Sequence, residues 1–530
     1  MSRPLRVLCL GGGYTALYLS RKLAASIRNK QVELTIVSKE NFHVFHGFIA
    51  EMLAGRMQPY SILSSARRIF PPARFICAEV EAVDYDQKKV RISRRLDGKT
   101  FELEYDHVVL ALGATDDLAR YHGVSEHTFR LKSFWECFKM RNHLIQMLEM
   151  AEIETDAEER KKLLTFVIIG GGYGGIEVAS EFREFFRQVT KKDYPHLHPD
   201  EARVLVVHSG ERILPELVHT QPKLVNYAEK VLKKAGLEIH TNMRIVAATS
   251  EEAILSDGTK IPTRTIISSA GNAMPALIKS SPFEKDDRGR IKVDATLRVP
   301  GYNNVWAAGD CAAMPHPSGG TCPAVAIYAM MAGRQIAVNL RRLVAGKTLR
   351  SYGFTGLGDA CALGNGKAVS QVKGIRFYGF PAWLVWRSFF LYFVPSRERK
   401  VRIMLDWLLS PIFGREIIDV RIDEPHGVRA MMFEPGQDII RQGDVGRTMY
   451  AIVSGEAEVI REDETRNQTV LARLKPGDHF GEIAVFQNRR RTATVRAVTR
   501  VELISIGKQE AVALSGTLKP FDDALNQSKG

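Results

Sequence analysis

The chain has no uncharged apolar run of the ~18 residues or more that a spanning helix requires, so no transmembrane helix is expected. Cysteine is scarce: Cys9, Cys77, Cys137, Cys311, Cys322 and Cys361 are the six in 530 residues, with no CxxC pair and no framework spacing. That pattern argues against structural disulfides and for a reducing compartment, and no metal site is expected. The opening Met-Ser-Arg-Pro-Leu-Arg lacks the apolar stretch and cleavage site of a secretory signal. A cytoplasmic location follows as an expectation. No nucleic-acid-reading motif occurs, and nothing after Leu514 has the pattern of a helix-turn-helix, so nucleic acid is not an expected partner.

What is present is ordinary in bulk and specific in detail. Apolar content of 45% and charged content of 25% suit a globular protein, and the length implies about three domains. The net charge of +14 thickens around Arg387–Arg402, beside aromatics, which favours an anionic membrane surface.

The most informative stretch is Phe166-Val167-Ile168-Ile169-Gly170-Gly171-Gly172-Tyr173-Gly174-Gly175-Ile176-Glu177. A short β-branched run is followed by Gly170, Gly172 and Gly175 at GxGxxG spacing, then by a helical pattern at Ile176, Ala179, Phe182 and Phe185. The glycines allow a tight turn, close approach to a pyrophosphate and close helix–strand packing. Arg6–Leu10 leads likewise into Gly11, Gly13 and Ala16, the GxGxxA variant. Two such loops imply two dinucleotide domains, the first for FAD and the second, inserted one for NADH or NADPH. After the next strand, Gln31–Val37, the acidic residue that would grip the adenosine ribose is replaced by Ser38, with Glu40 two places on. Either Glu40 substitutes or that bond is lost. His107–Ala114 reads as a strand ending in a small-residue turn (Ala111, Gly113), and Asn304–Asp310 as a strand ending in Gly309 and Asp310. In flavoproteins with two dinucleotide sites such turns face the cofactor, with Asp310 placed for the ribityl or phosphate part; a plain turn is the alternative.

Gly11–Ala16, Asn41-Phe42-His43-Val44-Phe45, Gly170–Glu177, Ala270-Gly271 and Ala307–Asp310 together resemble the type II NADH dehydrogenases, of the pyridine nucleotide-disulfide oxidoreductase superfamily. The resemblance covers roughly residues 5 to 420. It implies a monotopic flavoprotein passing electrons from NAD(P)H through FAD to a membrane quinone, with Ala270 and Gly271 among the cofactor-binding residues. Glu177 matches a glutamate near the flavin and acceptor, where a carboxyl relays protons; its alternative role is to offset the helix dipole. Relatives end the second strand of the inserted domain with Glu, which disfavours a 2′-phosphate. His208 stands there instead, which opens NADPH use, with Arg212 available to a phosphate. Alternatively His208 is a solvated loop residue and Glu211 takes over.

Where the family carries quinone-site glutamines, this chain has Ile327, Met331 and Ala332, so a soluble acceptor stays open. The thiol-disulfide branch needs a cysteine pair that Phe42–Met57 lacks. Sulfide oxidation stays open through Cys311 and Cys322, unless these are buried free thiols. Phe380–Pro395, rich in aromatics, reads as a helix in the headgroup plane with Val401–Phe413 as its partner. A homodimer interface is the alternative.

From about Asp423 short strands alternate with glycine turns. Gly477–Val485 followed by Arg490–Ala497 closely resembles the cyclic-nucleotide-binding β-roll and its phosphate cassette. The resemblance assigns Gly481, Glu482, Arg491 and Thr492 to the ligand: Glu482 to the ribose 2′-OH and Arg491 to the cyclic phosphate. Thr492 leaves cAMP and cGMP both open.

The fold expected is therefore α/β: two Rossmann-like domains, membrane-facing helices and a C-terminal β-roll. Expected boundaries are 1–125 and 296–360 for FAD, 126–295 for NAD(P)H, 361–421 for membrane association and 422–530 for the cyclic nucleotide. The leading function is an NAD(P)H dehydrogenase reducing a quinone on the inner face of the cytoplasmic membrane, under cis control by cAMP or cGMP. A cyclic-nucleotide sensor with a non-catalytic flavoprotein half is the alternative of another class.

Overall fold

The computed structural model describes residues 3–94, 97–115, 124, 127–269, 273–420, 429–444, 446, 448–463, 467–487 and 490–507. They fall into two compact units, Met1–Ala247 with Ala253–Ile417 and Ala248–Glu252 with Ile418–Gly530.

The first unit contains two five-stranded parallel sheets. In the first, strands run in the order Val305–Ala307, His107–Leu110, Leu5–Leu10, Val32–Ser38, Arg74–Cys77. Val7, Leu8, Cys9 and Leu10 are all buried, because helices cover both faces of a parallel sheet and no position alternates outward. The second sheet has the order Thr128–Arg130, Thr265–Ser268, Thr165–Ile169, Arg203–Val207, Glu238–His240. Its strands all lie in sequence between His107–Leu110 and Val305–Ala307 of the first sheet, so one Rossmann-like domain is inserted in the other.

Each glycine loop leads directly into a helix, Tyr14–Arg28 or Tyr173–Lys192. Gly13 and Gly172 are their N-caps, in extended backbone, and neither helix has a side-chain cap. By contrast, Ser133 caps the helix Phe134–Ile153 by accepting from the Glu136 amide. The two loop helices thus leave first-turn N–H groups to an external acceptor.

The helix Ala326–Val344 packs on the first loop helix through Gly333, where an added Cβ would lie 2.2 Å from the Thr15 carbonyl oxygen. Beyond it, Gly358–Ala362, Ala368–Val372 and Ile375–Tyr378 form an antiparallel meander. The segment expected to associate with a membrane from residue 361 therefore begins as sheet, and its helices are Gly379–Phe393 and Arg397–Phe413. No helix among the described residues is long and apolar enough to cross a membrane.

The second unit has two four-stranded antiparallel sheets, consistent with a β-roll. Ile452, Phe480, Val495 and Leu503 pack in its core.

Gly333→Ala tests the helix contact. The clash is with backbone, which no rotamer relieves, so a loss of about 1–3 kcal/mol is expected despite alanine's better helix propensity. Thermal unfolding of purified protein reads it as a Tm lowered by several degrees.

Candidate functional site

At the first loop Gly11 has φ +111°, and a Cβ there would stand 2.2 Å from the Ala111 carbonyl oxygen. A Cβ on Gly12 would meet Ser38 Oγ at 2.8 Å, and one on Gly309 would meet Thr15 Oγ1 at 3.3 Å. Gly11, Ala16, Ser38, Ala111 and Gly309 are thus brought around one helix N-terminus, with open space at Gly13 and Gly113. Glu40 is partly buried two residues beyond Ser38.

Two groups at this cradle have unspent hydrogen-bonding capacity. No hydrogen bond reaches the Asp310 carboxylate among the described residues, and burial pushes its pKa up. His43 is 3% exposed, and its Nδ1 lies 3.2 Å from the Gly12 carbonyl oxygen, to which it donates. Its Nε2 is then a buried lone pair with no partner, and burial lowers the ring's pKa to about 4. The sequence did not single out His43 by itself. Its signal was its place on the short strand after Ser38. Open glycines, uncapped amides and orphaned acceptors fit FAD.

At the second loop Gly170 has φ +105°, and a Cβ on Gly175 would stand 1.9 Å from the Gly170 carbonyl oxygen. His208 is not a solvated loop residue. The Gly171 amide donates to its Nδ1 at 3.2 Å, so the proton of the neutral ring sits on Nε2. The imidazole fills the space beside Gly171, where a Cβ would be 2.9 Å from His208 Cγ. Arg212 is engaged elsewhere, donating to Glu229 at 2.6 Å and to Asn226, because a nearer carboxylate holds it. Glu211 is exposed. Ala270 and Gly271 lie outside the described residues.

At the start of the second loop helix is a cavity of about 180 Å³ lined by His46, Ile49, Lys132, Gly174, Glu177 and Ser269, among others. Glu177 Oε1 accepts from Trp386 Nε1–H at 2.7 Å and from the Ala362 amide at 3.1 Å. Its bonds thus run to the strand Gly358–Ala362 and the helix Gly379–Phe393 and not to its own helix's N-terminal amides. Burial raises the Glu177 pKa to about 8, against the opposing effect of those two bonds, so the carboxyl is protonated at neutral pH.

Beneath the cavity lies a buried ionic cluster. Glu181, one turn beyond Glu177, is paired with Arg56 at 3.3 Å and Arg415 at 3.2 Å. Glu51 accepts from Arg387 at 2.8 Å and from Trp407 Nε1–H at 2.7 Å. Arg387 is held between the rings of Trp383 and Trp407, 3.9 and 4.2 Å from their centroids. This corrects the sequence reading, in which Arg387 and the tryptophans faced headgroups. Trp386 is 2% exposed, and Arg387 points inward because Glu51 needs a counter-ion. The face left outward comprises Val401, Met404, Leu405, Leu408, Ile412 and Phe413 of the second helix, with Tyr392 of the first. Val401–Phe413 was expected to partner the first helix, and Trp407 meets it through Arg387, while Ile403 is buried in the core.

Ile327 and Ala332 are buried in the core, with Met331 packed against it. Cys311 and Cys322 are buried free thiols that donate to different carbonyls, and burial pushes both up to about 11, which argues against a reactive pair.

In the second unit Arg491 is 5% exposed and donates to the carbonyls of Gly481 at 2.8 Å and Thr448 at 2.6 Å. Glu482 Oε2 is buried without a partner among the described residues, and Thr492 is exposed. Gly481, Glu482 and Arg491 are thereby brought together, with an orphaned acceptor that fits a ribose hydroxyl.

Comparison with known proteins decides the class. The family described as pyridine nucleotide-disulphide oxidoreductase matches residues 5–333. The chain belongs to that family. Residues 430–515 of this oxidoreductase match the cyclic nucleotide-binding domain. A probable NADH dehydrogenase of Dictyostelium discoideum is 27% identical, over 78% of this chain and 90% of that protein. An internal alternative NAD(P)H-ubiquinone oxidoreductase of Arabidopsis thaliana is 28% identical, over 78% and 85%. The fold is shared with NDH2 of Plasmodium falciparum solved with NADH, at TM-score 0.71 and 17% identity, over 78% of this chain and all (100%) of that one.

The raised Glu177 pKa makes a stability prediction. Between the unfolded value near 4.5 and the folded value near 8, the native state binds the extra proton. Stability contributed at this site therefore falls as pH rises through that window, by up to about 1.4 kcal/mol per unit. Glu177→Gln, which mimics the protonated carboxyl, should gain in Tm over the parent from pH 5 to 8, read by calorimetry.

Proposed function

We propose that this oxidoreductase takes hydride from NADH or NADPH through FAD and passes the electrons to a membrane quinone. The observation that carries the reading is a pair of uncapped glycine-loop helices, the second of which lines a cavity with a protonated glutamic acid. FAD, when bound, supplies the chemistry: it accepts two electrons as hydride and releases them to an acceptor. The chain supplies position and charge. Amides beyond Gly11–Gly13 and Gly170–Gly172 bind the two pyrophosphates, Asp310 and His43 accept hydroxyl protons of the flavin side, and Gly113 leaves room for it. Leu131 and Ile49 give the cavity an apolar wall. Glu177 holds a proton for the acceptor.

His208, locked to the Gly171 amide, brings no carboxylate to repel a 2′-phosphate, so both NADH and NADPH are donors in this reading. Peripheral membrane association rests on the outward apolar face from Val401 to Phe413, flanked by Arg397, Arg399, Lys400 and Arg402. A soluble acceptor is the second reading, favoured by the buried apolar Ile327 and Ala332 in place of polar side chains.

The β-roll binds a cyclic nucleotide and biases the oxidoreductase in the same chain. Glu482 accepts from the ribose 2′-OH, and Arg491 exchanges its carbonyl partners for the phosphate.

Purified, FAD-loaded protein under argon should bleach with NADH or NADPH and recover its colour on adding a short-chain quinone. Recovery with ferricyanide but not with quinone would select the soluble acceptor. Leu408→Glu with Ile412→Lys should reduce co-sedimentation with anionic vesicles at least several-fold, since two apolar insertions are lost. Arg491→Ala should weaken cAMP and cGMP binding by tenfold or more, by loss of a charge-assisted pair of about 1.5–3 kcal/mol, measured by titration calorimetry.

A further inference from the structure

Glu177 has two carboxyl oxygens in different surroundings. Oε1 takes both available donors, the Trp386 indole N–H and the Ala362 amide. An oxygen accepting two N–H bonds is the poorer site for a proton, so the proton resides on Oε2. Trp386 is well placed to hold that choice. It is buried on the first hairpin helix, with its ring edge-on to Phe48 at 5.7 Å and Phe390 at 5.1 Å. Its neighbour Arg387 is locked by Glu51 and two tryptophan rings, which fixes the helix rotation that aims the indole.

We infer that Trp386 is a positioning residue for proton delivery: its indole N–H pins Glu177 Oε1, so that the transferable proton is carried on Oε2. The inference rests on the reading of Glu177 as the group holding a proton for the acceptor. Reduction of a quinone to a hydroquinone by NAD(P)H consumes the hydride, which brings two electrons and one hydrogen, and one further proton. Glu177 gives that proton from Oε2, leaving a carboxylate that Trp386 and Ala362 continue to bond, and water returns it.

The charged and titratable groups around this carboxyl are known. Glu51 stands on the helix Ile49–Leu53, Glu181 and Arg56 lie on the side of the cluster, and Arg387 is on the hairpin. Cys361 lies on the meander strand, and His46 and Lys132 line the same cavity. Glu51 and Glu181 disfavour the Glu177 anion by charge, whereas the Trp386 bond favours it; burial keeps Cys361 neutral beside it. Removing the indole N–H therefore raises the pH at which Glu177 ionises.

The test is the pH dependence of kcat for quinone reduction by the full-length, FAD-loaded protein in vesicles. The parent should lose activity as pH rises through about 8. Trp386→Phe, which keeps a ring in the site, should move that fall upward by about one pH unit, and should leave the flat profile of Glu177→Gln unmoved in the double variant. Replacement of Trp386 by benzothienylalanine, which exchanges N–H for sulfur at nearly constant volume, should give the same shift if the phenylalanine variant folds poorly. In difference infrared spectra the protonated Glu177 carbonyl stretch should move to higher frequency on either change. Profiles that coincide with the parent's, or a shift that persists in the Glu177→Gln background, would overturn the assignment of Trp386 alone. A Glu177→Gln enzyme that keeps the parent's alkaline fall would refute the proton role of Glu177 and this assignment with it.

Discussion

The first unit depends on backbone amides that the protein itself declines to satisfy. A helix start normally recruits a serine or aspartate to occupy its leading N–H groups, as Ser133 does for the helix Phe134–Ile153. At Gly13 and Gly172 that side chain is absent, and each loop sits at the carboxyl edge of a parallel sheet. Such an edge is stable without a cap because the strands behind it are buried on both faces. Core and site are thus two ends of one arrangement: dry strands behind, unspent donors in front.

The second organising element is charge sealed inside. Glu51, Glu181, Arg56, Arg387 and Arg415 form a network in which each buried carboxylate meets guanidinium groups. Isolated, any one of these charges would cost several kcal/mol or more to bury. Together they fasten the Ile49–Leu53 helix, the second loop helix and the hairpin to one another. Glu177 is the exception among these acids. It has no counter-ion among the described residues, which is why it keeps its proton while Glu181, four residues on, is held ionised.

The glycine loops and their sheets were legible in the sequence because spacing and composition carry them. Gly11, Gly170 and Gly175 sit where a side chain would strike backbone, and such constraints leave an imprint readable without a structure. The β-roll was legible for a similar reason, through its glycine turns and the pairing of Glu482 with Arg491. Less legible was anything decided by long-range partners. Arg387 beside tryptophans read as a headgroup contact, since nothing local announces Glu51, more than three hundred residues earlier, as its partner. His208 was readable as a departure, but not as an imidazole locked to Gly171. The meander from Gly358 was swallowed into the amphipathic segment because its strands are short and mixed in character.

The end of the helix Arg397–Phe413 is tied into the first unit. After Phe413 the chain does not hang free. Arg415 is buried against Glu181 and the Ala54 carbonyl, the Glu416 amide donates to the Gly55 carbonyl, and Arg141 donates to the Glu416 carbonyl. A Cβ on Gly55 would stand 2.4 Å from that same Glu416 oxygen, so the strip is inlaid with no slack. The strip Arg415–Glu416 is therefore a fixed mooring within the first unit and not a rope. Strain on the Arg415–Glu416 strip is therefore carried directly to the Glu181 salt bridge, one helical turn from Glu177.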